Sequence, residues 1–131
     1  GTDQDNIVLS ILRAIGSLSI NDEGNMKRFR SAGACEVVVT YMNNYKHSAI
    51  ISEYGARAVY YLGEDSENVT ILGDCGACES VVSSLSLHLS FASCCTQCCL
   101  AIRNLAFKNP SNGIKLVSSN CNNYLLQVLT Q

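Results

Sequence analysis

Proline and tryptophan are almost missing from this sequence, which has a single proline, Pro110, and no tryptophan. Because proline interrupts helices, its scarcity favours long helical segments. Charged residues make up only 15% and the net charge is -2, so the chain has no general electrostatic attraction to nucleic acid. No apolar run reaches the roughly 18–20 residues of a membrane span, and no basic-then-apolar signal segment opens the chain. We therefore expect neither a nucleic-acid partner nor a membrane partner.

The sequence patterns of common enzyme classes are missing as well. There is no P-loop, GxGxxG, HExxH or GxSxG pattern. The two histidines, His47 and His88, lie 41 residues apart, and nothing beside them marks the shared pocket that a Cys–His nucleophile pair needs. We interpret both as surface loop residues and the acidic residues as solvated helix ends. The sequence therefore predicts a non-enzymatic protein with no catalytic residue and no cofactor.

What the sequence has instead is an internal repeat. Apolar residues make up 47% of its 131 residues, which is enough for one compact domain with a buried core. The first markers are asparagines spaced by 43 and 44 residues, namely Asn25, Asn68 and Asn112. The tetrapeptide Gly-Ala-Cys-Glu begins at Gly33 and again at Gly76, and Asn120 takes the place of the glycine in the next unit. Because Gly and Asn best tolerate a positive φ, a tight turn is predicted at all three positions.

A second set of positions repeats in phase with the first. The repeated positions lie in the segments 14–18, 58–62 and 101–105. Each segment begins with a small residue, continues with an aliphatic residue, and has a leucine three positions after that aliphatic residue. This spacing places the apolar residues on one face of a helix. Two independent marker sets with one period indicate repeated helical units.

Within the unit 68–111 the pattern predicts three helices. They cover residues 68–74, 77–87 and 92–107, with Gly76 as the turn and the third helix as the longest. The segment 108–111 ends the third helix, and we expect Ser111 to cap the next one. Residues 25–67 follow the same plan.

Three helices per unit, with a glycine turn between the first and the second, resemble the armadillo repeat. The residues that carry the resemblance are Asn68, Ile71, Leu72, Gly76, Val81, Val82, Leu85 and the segment 99–106. That segment is similar to the third-helix pattern A-x-A-L-x-N-L-A, with Cys99 in place of the first alanine. The resemblance implies an all-α, right-handed α-α superhelix of about three repeats. HEAT repeats are the nearest alternative, but they use two helices and usually lack the glycine turn.

The resemblance also divides the chain. It implies a single segment, 1–131, made of a partial repeat 5–24, the repeats 25–67 and 68–111, and a partial repeat 112–131 that lacks its third helix. We interpret this segment as a fragment of a longer protein. The uncovered C-terminal helix at 124–129 further predicts either self-association or a stack that continues beyond it.

The resemblance implies a place where a partner binds. In the armadillo family, which includes importin-α and β-catenin, an extended partner lies along the concave face lined by the third helices, and a third-helix asparagine bonds the partner's backbone. The corresponding positions here are Arg13, Ser17, Arg57, Tyr61, Leu100, Arg103 and Asn104. Asn104 alone keeps that asparagine, because serine and tyrosine replace it in the other two units. Arginine and tyrosine are favoured at binding hot spots, and Arg13 and Arg57 would suit an acidic peptide.

Eight cysteines are the other unusual feature. Cys75 and Cys78 have the CxxC spacing of zinc sites, and the cluster at 94–99 places two cysteine pairs four residues apart on a helix. The repeat explains them differently, because aligned positions hold small residues such as Ala32 and Ala56, and a buried thiol packs as a small hydrophobe. We therefore expect no metal site. Unpaired thiols favour a reducing compartment, so we expect the cytoplasm, with the nucleus as an alternative.

The sequence thus supports one main hypothesis and two alternatives. The main hypothesis is a non-catalytic scaffold that binds a peptide or helix of another protein along the concave face. The first alternative is a structural spacer within a larger multidomain protein whose activity lies elsewhere. The second alternative is a metal–thiolate redox module.

Overall fold

The structure, a computed structural model, describes residues 2–131; Gly1, the first residue of the predicted segment, lies outside them. The described residues form nine α-helices and no strand, so the prediction of an all-α protein is confirmed for this part of the chain. The helices are α1 (Thr2–Ser19), α2 (Glu23–Ser31), α3 (Ala34–Asn44), α4 (Ala49–Leu62), α5 (Ser66–Asp74), α6 (Ala77–Leu87), α7 (Ala92–Ala106), α8 (Pro110–Ser118) and α9 (Cys121–Leu129). Among residues 2–131, none of these helices combines the length and the apolarity needed to cross a membrane.

The three predicted turns adopt a left-handed backbone conformation. The angle φ is 84° at Gly33, 102° at Gly76 and 73° at Asn120. Each of these residues directly precedes a helix, α3, α6 and α9 respectively. Glycine and asparagine adopt this conformation more readily than other residues, which explains why the sequence has only these two types here.

A polar side chain caps the helix that opens each unit. Asp22, Asp65 and Asn109 each accept a hydrogen bond from the backbone N–H three residues later, at 2.9–3.1 Å. The prediction that Ser111 caps α8 is wrong, because the helix already begins at Pro110 and Ser111 lies inside it. Proline fits the first helical position because its missing N–H would have no partner there.

The repeated asparagines lie inside these helices and join one unit to the next. The side chain of Asn68 is fully buried, and its Nδ2 donates to the carbonyl oxygens of Met26 at 3.2 Å and Leu62 at 3.0 Å. Asn112, also buried, makes the same two bonds one unit later, at 3.1 and 3.0 Å. Each asparagine therefore ties its own helix to two helices of the preceding unit.

The helices α1, α4 and α7 pack side by side in one layer, which we call the third-helix row. The contacts of α4 with α1 and with α7 are the most extensive in the described part of the chain. Small buried residues lie along these helices, among them Gly16, Ala58 and Ala101. Small side chains allow close packing of helices, and the row places the predicted binding residues on adjacent elements.

Candidate functional site

A cluster of cationic and aromatic side chains lies where α1 meets α4. The Nη1 of Arg57 donates to the carbonyl oxygen of Arg13 at 3.4 Å, and its Nη2 donates to Ser17 Oγ at 3.4 Å. The guanidinium carbon of Arg57 lies 5.3 Å from the ring centroid of Tyr61. The structure therefore brings these four predicted site residues together.

Tyr54 belongs to this cluster, although the sequence analysis missed it. The guanidinium carbon of Arg13 lies 4.9 Å from the centroid of the Tyr54 ring, and that of Arg57 lies 5.9 Å from it. One ring thus contacts two guanidinium groups from neighbouring helices. Each such cation–π contact stabilises an exposed site by about 0.5–1 kcal/mol. Its spacing from Arg57 could have indicated Tyr54, because it precedes Arg57 by three residues and shares its helix face.

A second group of side chains continues the row from α4 to α7. The Nδ2 of Asn104 donates to the carbonyl oxygen of Tyr60 at 2.8 Å and to Glu64 Oε1 at 3.3 Å. The Nη2 of Arg103 donates to the hydroxyl of Tyr60 at 3.3 Å, and its guanidinium carbon lies 5.6 Å from that ring. Tyr60, which sequence analysis also missed, contacts Tyr61 with 4.7 Å between ring centroids. The two groups therefore form one continuous surface.

Asn104 has limited capacity to bind a partner. Its side-chain amide has two hydrogens, and both are directed to acceptors of the chain itself, on Tyr60 and Glu64. A partner's backbone N–H would therefore have to donate to Asn104 Oδ1. This geometry therefore allows Asn104 to accept a hydrogen bond from a partner's backbone but not to donate one.

Leu100 lies on a different surface from Arg13 and Arg57. It lines an apolar groove of about 690 Å³ between α7 and α9, which we call the α7–α9 groove. Its lining includes Leu89, Thr96, Cys99, Leu100, Arg103 and Val128. Arg103 belongs to both surfaces, because it lines the groove and also contacts Tyr60 of the third-helix row.

The arginines of the third-helix row have no carboxylate partner within residues 2–131. In this part of the chain the cations of the ion pairs are Arg30 and Lys115. Arg13 and Arg103 are exposed, Arg57 is half-buried, and none of the three takes part in an ion pair. Because their charges are not neutralised within the described chain, the row presents positive charge to solvent.

The cysteines lie mostly in the core. All eight thiols are free within the described residues, and six of them are buried. Burial raises the pKa of Cys35 to about 12 and that of Cys78 to about 11, so both stay protonated and poorly nucleophilic near neutral pH. A hydrogen bond with Cys94, together with burial, raises the pKa of Cys98 as well. In the part of the chain that the structure describes, no three His, Cys, Asp or Glu side chains are grouped to hold a metal ion.

His88 is buried, and its prediction as a surface residue is wrong. Its side chain is only 5% exposed, and Nε2 lies 2.7 Å from the carbonyl oxygen of Lys46. Because a carbonyl oxygen can only accept, Nε2 carries the proton. Phe91 packs edge-on against the ring, with 5.9 Å between centroids. The loop carbonyl that binds His88 belongs to a residue 42 positions earlier in the sequence, so no local pattern predicted this contact. His47, in contrast, is exposed as expected.

Comparisons of the chain with family models, with curated proteins and with solved structures gave no match. The feature that distinguishes this surface is a row of arginine and tyrosine side chains from three helices, held in place by one another.

Proposed function

We propose that the chain is an armadillo-type segment, a right-handed α-α superhelix, that acts as a non-catalytic scaffold and binds an acidic, extended peptide along the third-helix row. The order of the helices supports this assignment. The opening helices α2, α5 and α8 have nine residues each, and the following helices α3 and α6 have eleven each. A residue with positive φ separates the first helix from the second in every unit, as in the family that the sequence resembles.

One observation carries the proposal about the partner, namely the two guanidinium groups placed on Tyr54 without a carboxylate of their own. Guanidinium groups bind carboxylates through two parallel hydrogen bonds. Stacking of Arg13 and Arg57 on tyrosine rings limits their rotamers before a ligand arrives, so less entropy is lost on binding. An acidic peptide supplies the charge that this surface lacks.

The dimensions of the row suit an extended peptide. Packed helices lie about 8–10 Å apart, so the row of three helices spans roughly 20 Å. An extended chain covers about 3.3 Å per residue, and about six residues therefore cross the row. Glu64 accepts a hydrogen bond from Asn104 at the α7 side, which places a negative charge there. We expect the acidic residues of the ligand to lie over α1 and α4.

The test uses a fluorescein-labelled peptide of alternating glutamate and glycine, six residues long, and fluorescence anisotropy. Arg57→Ala should weaken binding by about 2 kcal/mol, which is about thirtyfold, because it removes the guanidinium that bridges α1 and α4. Arg57→Lys should also weaken binding, since lysine keeps the charge but not the planar fork. Added salt should reduce the affinity, because exposed charges are screened.

Arg28→Ala is the matched control. Arg28 is an exposed arginine on α2, outside the third-helix row, and its removal changes the net charge by the same amount. Binding by this variant should match that of the parent. Equal losses for Arg57→Ala and Arg28→Ala would show that only net charge matters, and the proposed site would be wrong.

The spacer function is the second candidate, and the apolar surface of α9 favours it. Leu126 and Leu129 are 61% and 80% exposed. A pull-down compares the parent with a variant that combines Arg57→Ala, Tyr61→Ala and Asn104→Ala. If this variant keeps every partner of the parent, the scaffold function of the row is refuted and the spacer is favoured.

A further inference from the structure

Asn112 is the one asparagine of the sequence that is directly followed by glycine. Both residues lie in α8, and Asn112 is one of the buried asparagines that join a unit to the preceding one. At the equivalent places of the two earlier units the residue after the asparagine is large, namely Met26 and Val69. The dipeptide Asn112–Gly113 is therefore an exception within the repeat.

The fold does not require glycine at position 113. Gly33 and Gly76 are the glycines with positive φ among the described residues, so Gly113 has an ordinary helical backbone. A Cβ placed on Gly113 meets no other part of the described chain within 4 Å, whereas Met26 and Val69 are only 2% and 5% exposed. The structure therefore gives this glycine neither a conformational nor a packing role. What it changes is the reactivity of the residue before it.

Glycine makes the amide of a preceding asparagine reactive, because its backbone nitrogen carries no bulky neighbour and can approach the asparagine Cγ. The deprotonated nitrogen attacks Cγ, and the new N–Cγ bond closes a succinimide ring. The bond from Cγ to Nδ2 breaks, and Nδ2 leaves as ammonia after taking a proton from water. A second water molecule then opens the ring and yields aspartate or isoaspartate. The reaction consumes only water, and an amide becomes a carboxylate.

Two restraints oppose this reaction in the folded chain. The backbone N–H of Gly113 donates to the carbonyl oxygen of Asn109 at 3.1 Å, so the nitrogen is neither deprotonated nor free to turn. The Nδ2 of Asn112 donates to the carbonyl oxygens of Val69 and Leu105, at 3.1 and 3.0 Å. Rotation of the amide toward the nitrogen would break both of these bonds. The reaction therefore requires that α8 first separates from α5 and α7.

We propose that Asn112 is a deamidation site that reacts when α8 opens, and that its product makes the opening irreversible. An aspartate carboxylate has no hydrogen to donate, so it would face the carbonyl oxygens of Val69 and Leu105 with acceptors on both sides. Burial of such an unpaired charge is strongly unfavourable. Isoaspartate lengthens the backbone by one carbon and interrupts the helix. This modification is separate from the peptide binding proposed above, which uses the third-helix row.

Conversion rates of the parent chain test the site. The whole chain is incubated in mildly alkaline buffer with a reductant, with and without denaturing urea, and its proteolytic peptides are followed by mass spectrometry. Asn112 should convert at least about tenfold more slowly in the folded chain than in urea, because opening of a buried segment must come first. Asn68 is the internal control, since Val69 follows it, and it should convert more slowly than Asn112 in urea. Gly113→Ala should slow Asn112 in urea toward the rate of Asn68.

Hydrogen exchange of the Gly113 amide tests whether the opening of α8 controls the reaction. The same nitrogen loses a proton in exchange and acts as the nucleophile in deamidation, so both processes need the bond to Asn109 to break. Deamidation also needs the release of the Asn112 side chain. The ratio of the unfolded to the folded conversion rate should therefore be at least as large as the protection of this amide against exchange.

The variant Asn112→Asp reproduces the product. Its urea midpoint should lie below those of the parent and of Asn112→Ala, because alanine removes the same bonds without adding a charge. Asn122→Asp is the matched control, since Asn122 is exposed on α9 and the charge change is the same, and its midpoint should not fall. The conversion rates are measured on the parent, so they remain informative if Asn112→Asp does not fold.

Four results would overturn the proposal. They are an absence of conversion at Asn112 in urea, equal rates in the folded and unfolded chains, a rate ratio smaller than the protection of the Gly113 amide, and an Asn112→Asp chain as stable as the parent.

Discussion

Replacing Asn68 by alanine offers a quantitative test of how neighbouring units are joined. The substitution removes two donated hydrogen bonds, to the carbonyl oxygens of Met26 and Leu62, and one bond that Asn68 accepts from Arg30 at 3.0 Å. These bonds link α5 to both α2 and α4. A buried polar side chain with three partners is one of the few features whose loss destabilises a protein strongly.

The size of the destabilisation depends on whether the former partners of Asn68 keep another hydrogen bond. The carbonyl oxygen of Leu62 still accepts from the backbone N–H of Asp65 at 3.3 Å, and the guanidinium of Arg30 still pairs with the Asp65 carboxylate at 2.6 Å. Two of the three partners therefore keep another bond, and each lost bond should count for about 1 kcal/mol. The space left by the removed amide adds a cavity term of about 1 kcal/mol. The free energy of unfolding should fall by about 3–4 kcal/mol.

Asn25→Ala is the matched comparison, because Asn25 occupies the same position one unit earlier. Its side chain is only half-buried, donates one bond to the carbonyl oxygen of Leu18 at 2.9 Å, and accepts one from the exposed Arg28 at 3.1 Å, where water can replace it. Its loss should lower the free energy of unfolding by about 1 kcal/mol. Urea unfolding followed by far-UV circular dichroism measures both variants. Equal losses, or a loss below about 1 kcal/mol for Asn68→Ala, would refute the idea that these buried bonds lock the units together.

Two further results are expected from the same unfolding assay. Gly73→Ala directs a Cβ into Asn112 Oδ1 and should destabilise the protein by about 2 kcal/mol. Gly113→Ala has open space around its Cβ and should stabilise the protein by about 0.5–1 kcal/mol. Changes of the same sign in the two variants would contradict this reasoning. Because burial raises the pKa of Cys35 to about 12, the unfolded chain releases this proton at a lower pH than the folded chain. The contribution of this thiol to the free energy of unfolding should therefore fall by about 1.4 kcal/mol as the pH rises from about 8 to about 10. Cys35→Ala should remove that part of the pH dependence, measured with a reductant present, and an unchanged slope would count against the assignment.

The sequence pattern predicted helices well where period and turn residues agree. The helix α6 covers Ala77–Leu87 as predicted, and α7 ends one residue before the predicted Phe107. The pattern did not predict which polar residues lie inside. Asn68 resembles a helix-start residue in the sequence, yet its partners include a carbonyl group 42 residues earlier, and only the packed units bring them together.

The candidate site was predicted in part for a similar reason. Arg13 and Arg57 were found because they occupy equivalent positions of the repeat. Tyr54 and Tyr60 were missed because their equivalents in α7 are Gln97 and Arg103, so comparison between units conceals them. Both tyrosines lie three residues from Arg57, and a search of its helix face for aromatic residues would have identified them.

The pattern of helix contacts has a consequence for how the molecule loses its structure. Between residues 2 and 131, every extensive contact joins helices that are at most three places apart in chain order, and none links the first helices to the last. Local opening at one end therefore leaves the opposite end intact, as in chains whose stability is a sum over neighbours. We expect amide protons of α4, which is covered from both sides, to exchange with deuterium most slowly. Those of α9 should exchange much sooner, and protection should rise stepwise from either terminus toward the centre.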